Sequence, residues 1–226
     1  MDFGEIMSEK EISKLKRKAV ELVFPRRCPF CRSLISGDML FCSRCAKELP
    51  GTAYSRYAIG GVPCAAALPY MDRYAQAMKR YKIGKKVYYS NTFAFLTVKA
   101  AKIYFPDESF DFVTCVPMSE AEKRKRGFNH AETLAVKCSE LLGLPYVNAL
   151  EKCKENNPQH TMKRSQREDN VRGVFRATDK SLCNGKTVLL IDDIITTGNT
   201  LGECVRVLKR SGCKAVFCAV TCTTIV

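Results

Sequence analysis

The sequence predicts an α/β protein with an open, mainly parallel sheet and flanking helices, preceded by a small cysteine-rich module. From residue 110 onward, short apolar segments alternate with amphipathic ones, and this rhythm is typical of a parallel sheet covered by helices. Four strands are predicted, at Ala65–Tyr70, Phe110–Val116, Thr187–Ile191 and Ala215–Cys222. Four helices are predicted, at Tyr74–Tyr81, Thr92–Tyr104, Asn129–Leu142 and Thr200–Arg210.

Three regions differ in composition and predict three domains. Residues 1–24 form an amphipathic N-terminal helix, because apolar side chains recur at helical spacing over 8–23. Residues 25–50 are rich in Cys, Pro, Gly and Arg and form a separate small module. Residues 51–226 carry the α/β pattern, interrupted by the polar, charged segment 150–173, which has almost no apolar periodicity. An excursion of that length is usually functional.

Charge and cysteine usage limit the classes of partner and compartment. The net charge is +14, which favours anionic partners such as nucleic acid or phosphorylated metabolites. Of the 13 cysteines, nine are scattered through predicted strands and helices, a distribution that indicates buried thiols in a reducing compartment. The chain begins without the pattern of a signal peptide, and its apolar runs are too short to cross a bilayer. We therefore expect a cytoplasmic protein without a membrane span.

Two cysteine pairs in the small module predict a zinc site. Cys28 and Cys31 form one C-x2-C pair, and Cys42 and Cys45 form a second pair after a gap of ten residues. Two such turns supply four thiolates in the tetrahedral arrangement that Zn²⁺ favours. A redox dithiol is the alternative, but paired pairs are far more specific to metal than one pair. Because all four ligands are cysteine, the predicted zinc is structural rather than catalytic.

A second motif follows the predicted strand Thr187–Ile191. Asp192 and Asp193 come first, and the chain then turns into a helix through Ile195, Thr196, Thr197, Gly198, Asn199 and Thr200. Backbone N–H groups, hydroxyls and a helix N-terminus together form a cradle for phosphate. Two adjacent carboxylates would repel a phosphate, so they suit ribose hydroxyls or a metal ion that shares the ligand. The lysine of a Walker loop is missing, which disfavours nucleotide hydrolysis of that kind.

This loop resembles the signature with which type I phosphoribosyltransferases bind phosphoribosyl pyrophosphate (PRPP). Three further segments resemble the ComF family of competence-associated proteins, namely Phe24–Cys31, Arg126–Ala131, and Gln159 together with Arg167, Asn170 and Phe175. The resemblance covers nearly the whole chain from residue 24. It implies a zinc ribbon fused to a phosphoribosyltransferase-like domain, and a role in DNA uptake and natural transformation. The chain departs from the family at Lys152 and Lys154, where arginines are usual, and at His130, where glutamine is usual.

The resemblance also implies roles for individual residues. Asp192 and Asp193 would contact the ribose, and the loop through Thr200 would bind the 5-phosphate. The loop Pro117, Met118 and Ser119 would approach the pyrophosphate, with Mg²⁺ on the diphosphate. Nearby cations, namely Lys123, Arg124 and Arg126, would stabilise the leaving group. A solvated charge run preceding a helix is the alternative for these cations.

A second basic cluster consists of Lys79, Arg80, Lys82, Lys85 and Lys86, interleaved with Tyr74, Tyr81, Tyr88 and Tyr89. Cations beside aromatic rings suit single-stranded DNA, through phosphate contacts and base stacking. The equally supported alternative is a basic helix end whose tyrosines pack on the core. The segment around Gln159, His160 and Arg167 could close over a ligand, and His160 is either a base or, in the favoured interpretation, a polar loop residue.

Three functional hypotheses follow. The first is a phosphoribosyltransferase that displaces pyrophosphate from PRPP. The second is a PRPP sensor without catalysis whose basic surfaces hold single-stranded DNA or a competence partner. The third is a scaffold whose ribbon binds a helicase or a recombination-loading protein. Because sensing and catalysis need the same phosphate loop, the sequence alone leaves the first two open.

Overall fold

The computed structural model describes residues 25–36, 39–50, 54–58, 61–83, 86–153 and 172–224. The chain divides into two compact units, Met1–Leu49 and Pro50–Val226. The helix predicted over residues 8–23 lies outside the described residues, as do Lys85, Lys154, Gln159, His160, Arg167 and Asn170.

The first unit contains the cysteine-rich module. Its chain reverses after Cys28, with an isolated antiparallel bridge between Arg27 and Leu34. A short helix, α1 (Ser43–Lys47), follows. Phe30 and Ile35 are buried with Cys28, whereas Leu34 is exposed. The buried apolar surface is therefore small, and a module of this size depends on metal for much of its folding energy.

The second unit is built on a five-stranded sheet. Its strands are β1 (Tyr54–Ala58), β2 (Val62–Pro69), β3 (Phe112–Cys115), β6 (Thr187–Ile195) and β7 (Ala215–Thr223), in the order β1-β2-β7-β6-β3. β1 pairs antiparallel with β2, and every other pairing in this sheet is parallel. Two further strands, β4 (Leu150–Lys152) and β5 (Phe175–Ala177), form a separate antiparallel pair. The predicted open, mainly parallel sheet is confirmed.

In the described part of this unit, five α-helices accompany these strands: α2 (Asp72–Lys82), α3 (Tyr89–Tyr104), α4 (Glu120–Arg126), α5 (His130–Leu142) and α6 (Asn199–Arg210). The cap predicted for α5 is confirmed, because the Asn129 side chain accepts hydrogen bonds from the N–H groups of Ala131 and Glu132. Gly143 ends the same helix at a φ of 68°, a left-handed conformation that favours glycine.

Helix α4 was not predicted, although its sequence carries a start signal. Ser119 accepts a hydrogen bond from the N–H of Glu122, and the Glu122 carboxylate accepts one from the N–H of Ser119. This capping box satisfies two N–H donors at once. Gly127, at a φ of 90°, ends the helix. The basic run Lys123–Arg126 is therefore the last turn of a helix rather than the approach to one.

Strand β6 is longer than predicted. It was expected to end at Ile191, but its ladder with β7 continues through Asp192 and ends with Ile195 opposite Thr223. Both aspartates therefore lie within the strand instead of after it. The sequence did not predict strands β1, β4 and β5. These strands are short and lie outside the buried centre of the sheet, and apolar patterning is weakest in strands of this kind.

Buried thiols fill much of the core, as predicted. Eight of the nine scattered cysteines are buried, while Cys153 is exposed. The buried thiols are Cys64, Cys115, Cys138, Cys183, Cys204, Cys213, Cys218 and Cys222. Among the described helices, none has both the length and the apolar character needed to span a bilayer.

Candidate functional site

A pocket lies where β6 ends and α6 begins. It is open to solvent on one side and is lined by Asp192, Ile194, Ile195, Thr196, Thr197, Gly198, Asn199, Thr200 and Leu201. Gly198 precedes the helix at a φ of 84°, and only glycine adopts this value without strain. The first N–H groups of a helix have no intrahelical acceptor, so they are available to an anion. The structure therefore brings the predicted phosphate loop together as one concave surface.

The two aspartates have different surroundings. Successive residues of a strand point to opposite faces of the sheet. Asp192 lines the pocket, and one of its carboxylate oxygens accepts a hydrogen bond of 2.8 Å from the N–H of Asp193. The Asp193 carboxylate is buried and lies 2.8 Å from the Nζ of Lys82, at the end of α2. Of the two carboxylates, Asp192 thus lines the pocket and Asp193 is paired with Lys82.

Burial and the neighbouring Asp193 carboxylate raise the pKa of Asp192 to about 7, against the opposing effect of Lys82. Burial acts to lower the pKa of Lys82, but the charge and hydrogen bond of Asp193 outweigh it and raise that pKa. Lys82 is therefore charged at neutral pH, and the ammonium and the two carboxylates form one coupled electrostatic group.

The end of α2 is fixed by two hydrogen bonds to the first residue of α5. Tyr81 donates to the backbone carbonyl of His130 at 2.9 Å, and His130 Nε2 lies 2.8 Å from the carbonyl oxygen of Lys82. Because a carbonyl oxygen only accepts, Nε2 must carry the proton. Burial is the main cause that lowers the pKa of His130, with the charges of Lys82 and Arg126 adding to it, so the ring is neutral. His130 thereby helps to position Lys82.

A second loop lies at the same edge of the sheet. β3 pairs in parallel with β6, and Cys115 lies opposite Ile191. Pro117–Ser119 therefore follow β3 at the level of the sheet where Asp192 and Asp193, the acid pair, follow Ile191 in β6. Carboxyl ends of parallel strands are where open α/β sheets bind ligands. The hydroxyl of Ser119 is already hydrogen-bonded to Glu122 in the capping box.

Lys152, at the end of β4, forms an ion pair with Glu122 of α4, the helix that follows this loop. Its Nζ lies 2.8 Å from Glu122 Oε2, and its side chain is only 10% exposed. Partial burial acts to raise the pKa of Glu122, but the Lys152 ammonium and the Ser119 donors outweigh it and lower that pKa. A lysine in place of the usual arginine therefore makes a single-point contact with a carboxylate of the neighbouring loop.

The other end of the 150–173 excursion is hydrogen-bonded to α6. The N–H of Gly173 donates to Glu203 Oε1 at 2.7 Å, and Glu203 also pairs with Arg206. Glu203 is buried and lies in the second turn of the helix that begins at the phosphate loop. Both described ends of the excursion are thus attached to elements that form the candidate site, a connection that the sequence did not reveal.

The cations predicted on the pyrophosphate side lie on α4. Arg124 and Arg126 are exposed, and Lys123 is partly exposed, with its Nζ 3.5 Å from Glu132 Oε2 on α5. Arg126 is close enough to the end of α2 for its charge to act on the pKa of Lys82.

The second basic cluster is not assembled as predicted. Tyr74, Tyr81 and Tyr89 are buried, so base stacking on Tyr81 is excluded and the packing alternative is correct for these three rings. Lys82 belongs to the Asp193 ion pair instead of an open cationic surface. Arg80 is partly buried and hydrogen-bonds to Tyr89. Lys79 and Lys86 remain exposed.

The four paired cysteines form a metal site in the first unit. The sulfur atoms of Cys28, Cys31, Cys42 and Cys45 all lie within 4.8 Å of one another. Cys31 Sγ and Cys42 Sγ are 3.5 Å apart, near the roughly 3.8 Å that a tetrahedron of Zn–S bonds of about 2.3 Å requires. Cys42 caps α1, so the first turn of this helix places Cys45 beside it. The donor set fits a structural Zn²⁺.

Comparison with known protein families gives two matches. The family described as double zinc ribbon domain matches residues 19–70, and the family described as phosphoribosyl transferase domain matches residues 125–225. The second match includes β6, the phosphate loop and α6. Within the described residues, one group of four metal ligands is found.

Curated relatives match well over half of the chain. Competence protein F of Haemophilus influenzae is 26% identical over 194 residues, covering 84% of this chain and 81% of that protein. Competence protein ComFC of Streptococcus pneumoniae is 33% identical over 147 residues, covering 63% of this chain and 62% of that protein. The chain is thus similar in sequence to competence proteins F and ComFC. DNA utilization protein YhgH of Escherichia coli K12 is 24% identical over 205 residues, covering 88% of this chain and 84% of that protein.

Among solved structures, an adenine phosphoribosyltransferase matches this chain with a TM-score of 0.44 and 14% identity. The match covers 79% of this chain and 88% of that one.

Replacing Cys42 by Ser is expected to release zinc and loosen residues 25–50, while the second unit stays folded. Metal content by elemental analysis and melting curves of the full chain measure both effects. Cys153→Ser is the matched control, because Cys153 is exposed and outside the cluster. Protein purified without chelator that contains no zinc would contradict the assignment.

Proposed function

We propose that the second unit binds PRPP at the pocket between β6 and α6. The observation that carries this proposal is the arrangement of Asp192 and the Thr196–Thr200 loop around one cavity, inside the segment that matches the phosphoribosyl transferase family. The 5-phosphate binds to the N–H groups that lead into α6. The ribose hydroxyls bind to Asp192, and the sugar then lies between the phosphate loop and the loop Pro117–Ser119.

The diphosphate is directed to the edge formed by Pro117–Ser119 and α4. Mg²⁺ arrives with the substrate, bound to diphosphate oxygens, and neutralises part of their charge. Arg126 and Arg124 add cationic charge near this side. Displacement of pyrophosphate from C1 by a nucleophile needs positioning, charge stabilisation of the leaving group and exclusion of water rather than covalent help from the protein. We propose this transfer as the activity, in the cytoplasm, with PRPP sensing as the alternative use of the same pocket.

Asp192→Asn is expected to weaken binding of PRPP with Mg²⁺ by about 1–3 kcal/mol, the scale of a hydrogen bond to a charged group. Isothermal titration calorimetry measures the change. Asp107→Asn is the matched control, because Asp107 is an exposed acid in the turn after α3. Equal affinity in the wild type and Asp192→Asn would show that Asp192 does not hold the ribose.

Turnover separates a transferase from a sensor. Incubation with PRPP, Mg²⁺ and a pool of cell metabolites is expected to release pyrophosphate in a metabolite-dependent manner, and Thr197→Val is expected to reduce the rate by disturbing the phosphate loop. A coupled pyrophosphate assay follows the reaction. Tight PRPP binding by calorimetry without any release would favour the sensor.

We propose binding of single-stranded DNA as a second function, on a surface around Lys79 and Lys86. The net charge of +14 and the competence and DNA-utilization relatives favour it. Because Tyr74, Tyr81 and Tyr89 are buried, phosphate contacts carry this proposal and stacking does not. The sequence specificity of such binding is weak, since phosphates are the same at every base.

Changing Lys79 and Lys86 together to Ala is expected to flatten the slope of log affinity against log salt by roughly 1.4, since each phosphate contact on a single strand contributes about 0.7. Fluorescence anisotropy with a labelled oligonucleotide measures the slope. The double variant Lys102→Ala and Lys209→Ala loses the same charge from exposed helix ends elsewhere and is the control. An unchanged slope in the first variant would place the DNA surface elsewhere, with Lys123–Arg126 as the next candidate.

A further inference from the structure

The four cysteines of the metal site differ in their access to solvent. Cys28 and Cys45 are 0% and 1% exposed, whereas Cys31 and Cys42 are partly exposed. The four sulfurs surround one centre, within 4.8 Å of one another. A solvent molecule that reached this centre would touch all four sulfurs, so the exposed surface of Cys31 and Cys42 faces outward. The site therefore has an inner pair and an outer pair of cysteines.

The outer pair joins two different turns of the chain. The sequence spacing groups each outer cysteine with a buried one, yet Cys31 Sγ and Cys42 Sγ are only 3.5 Å apart. The preceding residues, Phe30 and Phe41, also meet, with ring centroids 6.1 Å apart. Apolar packing thus holds the two turns together directly beside the outer pair.

The surroundings of Cys31 are polar. Its sulfur lies 3.3 Å from the hydroxyl oxygen of Ser33, and the guanidinium of Arg44 hydrogen-bonds to it. Both of these neighbours are exposed. A partly exposed sulfur beside a cation is in the environment typical of reactive cysteines. Zinc keeps its sulfur ligands as thiolates at neutral pH, and the thiolate is the form that reacts with oxidants.

We propose that Cys31 and Cys42 are a redox-modification site, at which a peroxide converts two zinc ligands into a disulfide and so releases the metal. The Cys31 thiolate attacks one peroxide oxygen, the O–O bond breaks, and hydroxide leaves while Cys31 becomes a sulfenic acid. The Cys42 thiolate then attacks the Cys31 sulfur and displaces a second hydroxide. The two sulfurs together lose two electrons, and hydrogen peroxide gains them.

The disulfide removes half of the ligand set. The two sulfurs would move from 3.5 Å apart to about 2.05 Å, and the remaining Cys28 and Cys45 do not complete a tetrahedral site. Cys42 Sγ also accepts a hydrogen bond from the N–H of Cys45 in the first turn of α1. Oxidation is therefore expected to loosen residues 25–50, and a thiol reductant to restore zinc binding. This inference rests on the zinc assignment and is independent of the PRPP pocket.

The test uses the full-length, zinc-loaded chain carrying Cys153→Ser, which removes the exposed thiol outside the cluster. Hydrogen peroxide is expected to release about one zinc ion for each peroxide consumed, because one disulfide takes up two electrons. A colorimetric zinc chelator follows the release. Dithiothreitol and added Zn²⁺ are expected to restore the metal content.

Mass spectrometry identifies which sulfurs have joined. After free thiols are alkylated, trypsin separates the cluster into peptides 28–32, 33–44 and 45–47. The expected product joins the first peptide to the second through Cys31 and Cys42, while Cys28 and Cys45 are recovered alkylated. Cys64 and Cys218 are the internal control, because they lie opposite each other in β2 and β7 but are buried, and they are expected to stay reduced.

Two results would overturn the proposal. One is a disulfide within peptide 28–32, or between peptides 33–44 and 45–47, which would show that sequence spacing rather than exposure selects the pair. The other is full retention of zinc at a peroxide concentration that oxidises Cys153 in the wild-type chain. A chain that contains no zinc before oxidation would refute the metal site itself, and this result differs from both.

Discussion

The parallel pairing of β6 with β3 on one side and β7 on the other is the constraint on which the candidate site depends. Parallel strands end at the same edge, so the loop after β3 and the loop after β6 both lie at that edge of the sheet. The register places Cys115 opposite Ile191, and the two ligand-binding segments begin from this level of the sheet. The consecutive apolar side chains of the centre, including Leu189, Leu190 and Ile191, are buried on both faces of β6, as expected for a central strand of a covered parallel sheet.

Electrostatics at this edge follow from the extension of β6 through its acid pair. Carboxylates in a loop can both turn toward one ligand, whereas neighbours in a strand are directed to opposite faces. Asp192 therefore lines the pocket and Asp193 needs a partner of its own, which α2 supplies as Lys82. A buried carboxylate without such a partner would cost several kcal/mol. The sequence of adjacent aspartates thus has two physical consequences, one for ligand contact and one for the packing of α2.

The sequence predicted the parts of the fold whose signals are local. Paired cysteines at fixed spacing indicated the metal site, Asn129 and Gly143 marked both ends of α5, and the Asp-Asp and Thr-Thr-Gly pattern located the loop that lines the pocket. Helix α4 was not predicted, although Ser119 and Glu122 carry its capping signal. The lysines and arginines that follow were interpreted as a ligand-binding charge run instead of the end of a helix.

The sequence alone did not predict the contacts between distant segments. Lys82 was assigned to a DNA surface because cations alternate with tyrosines around it, and a local pattern does not show that Asp193 lies 2.8 Å away. The same pattern suits a helix end whose rings are buried, and the burial of Tyr81 decides between the two. Similarly, the link from Gly173 to Glu203 connects the polar excursion to the helix that begins at the phosphate loop. The two described ends of that excursion are therefore held by Glu122 of α4 and by Glu203 of α6.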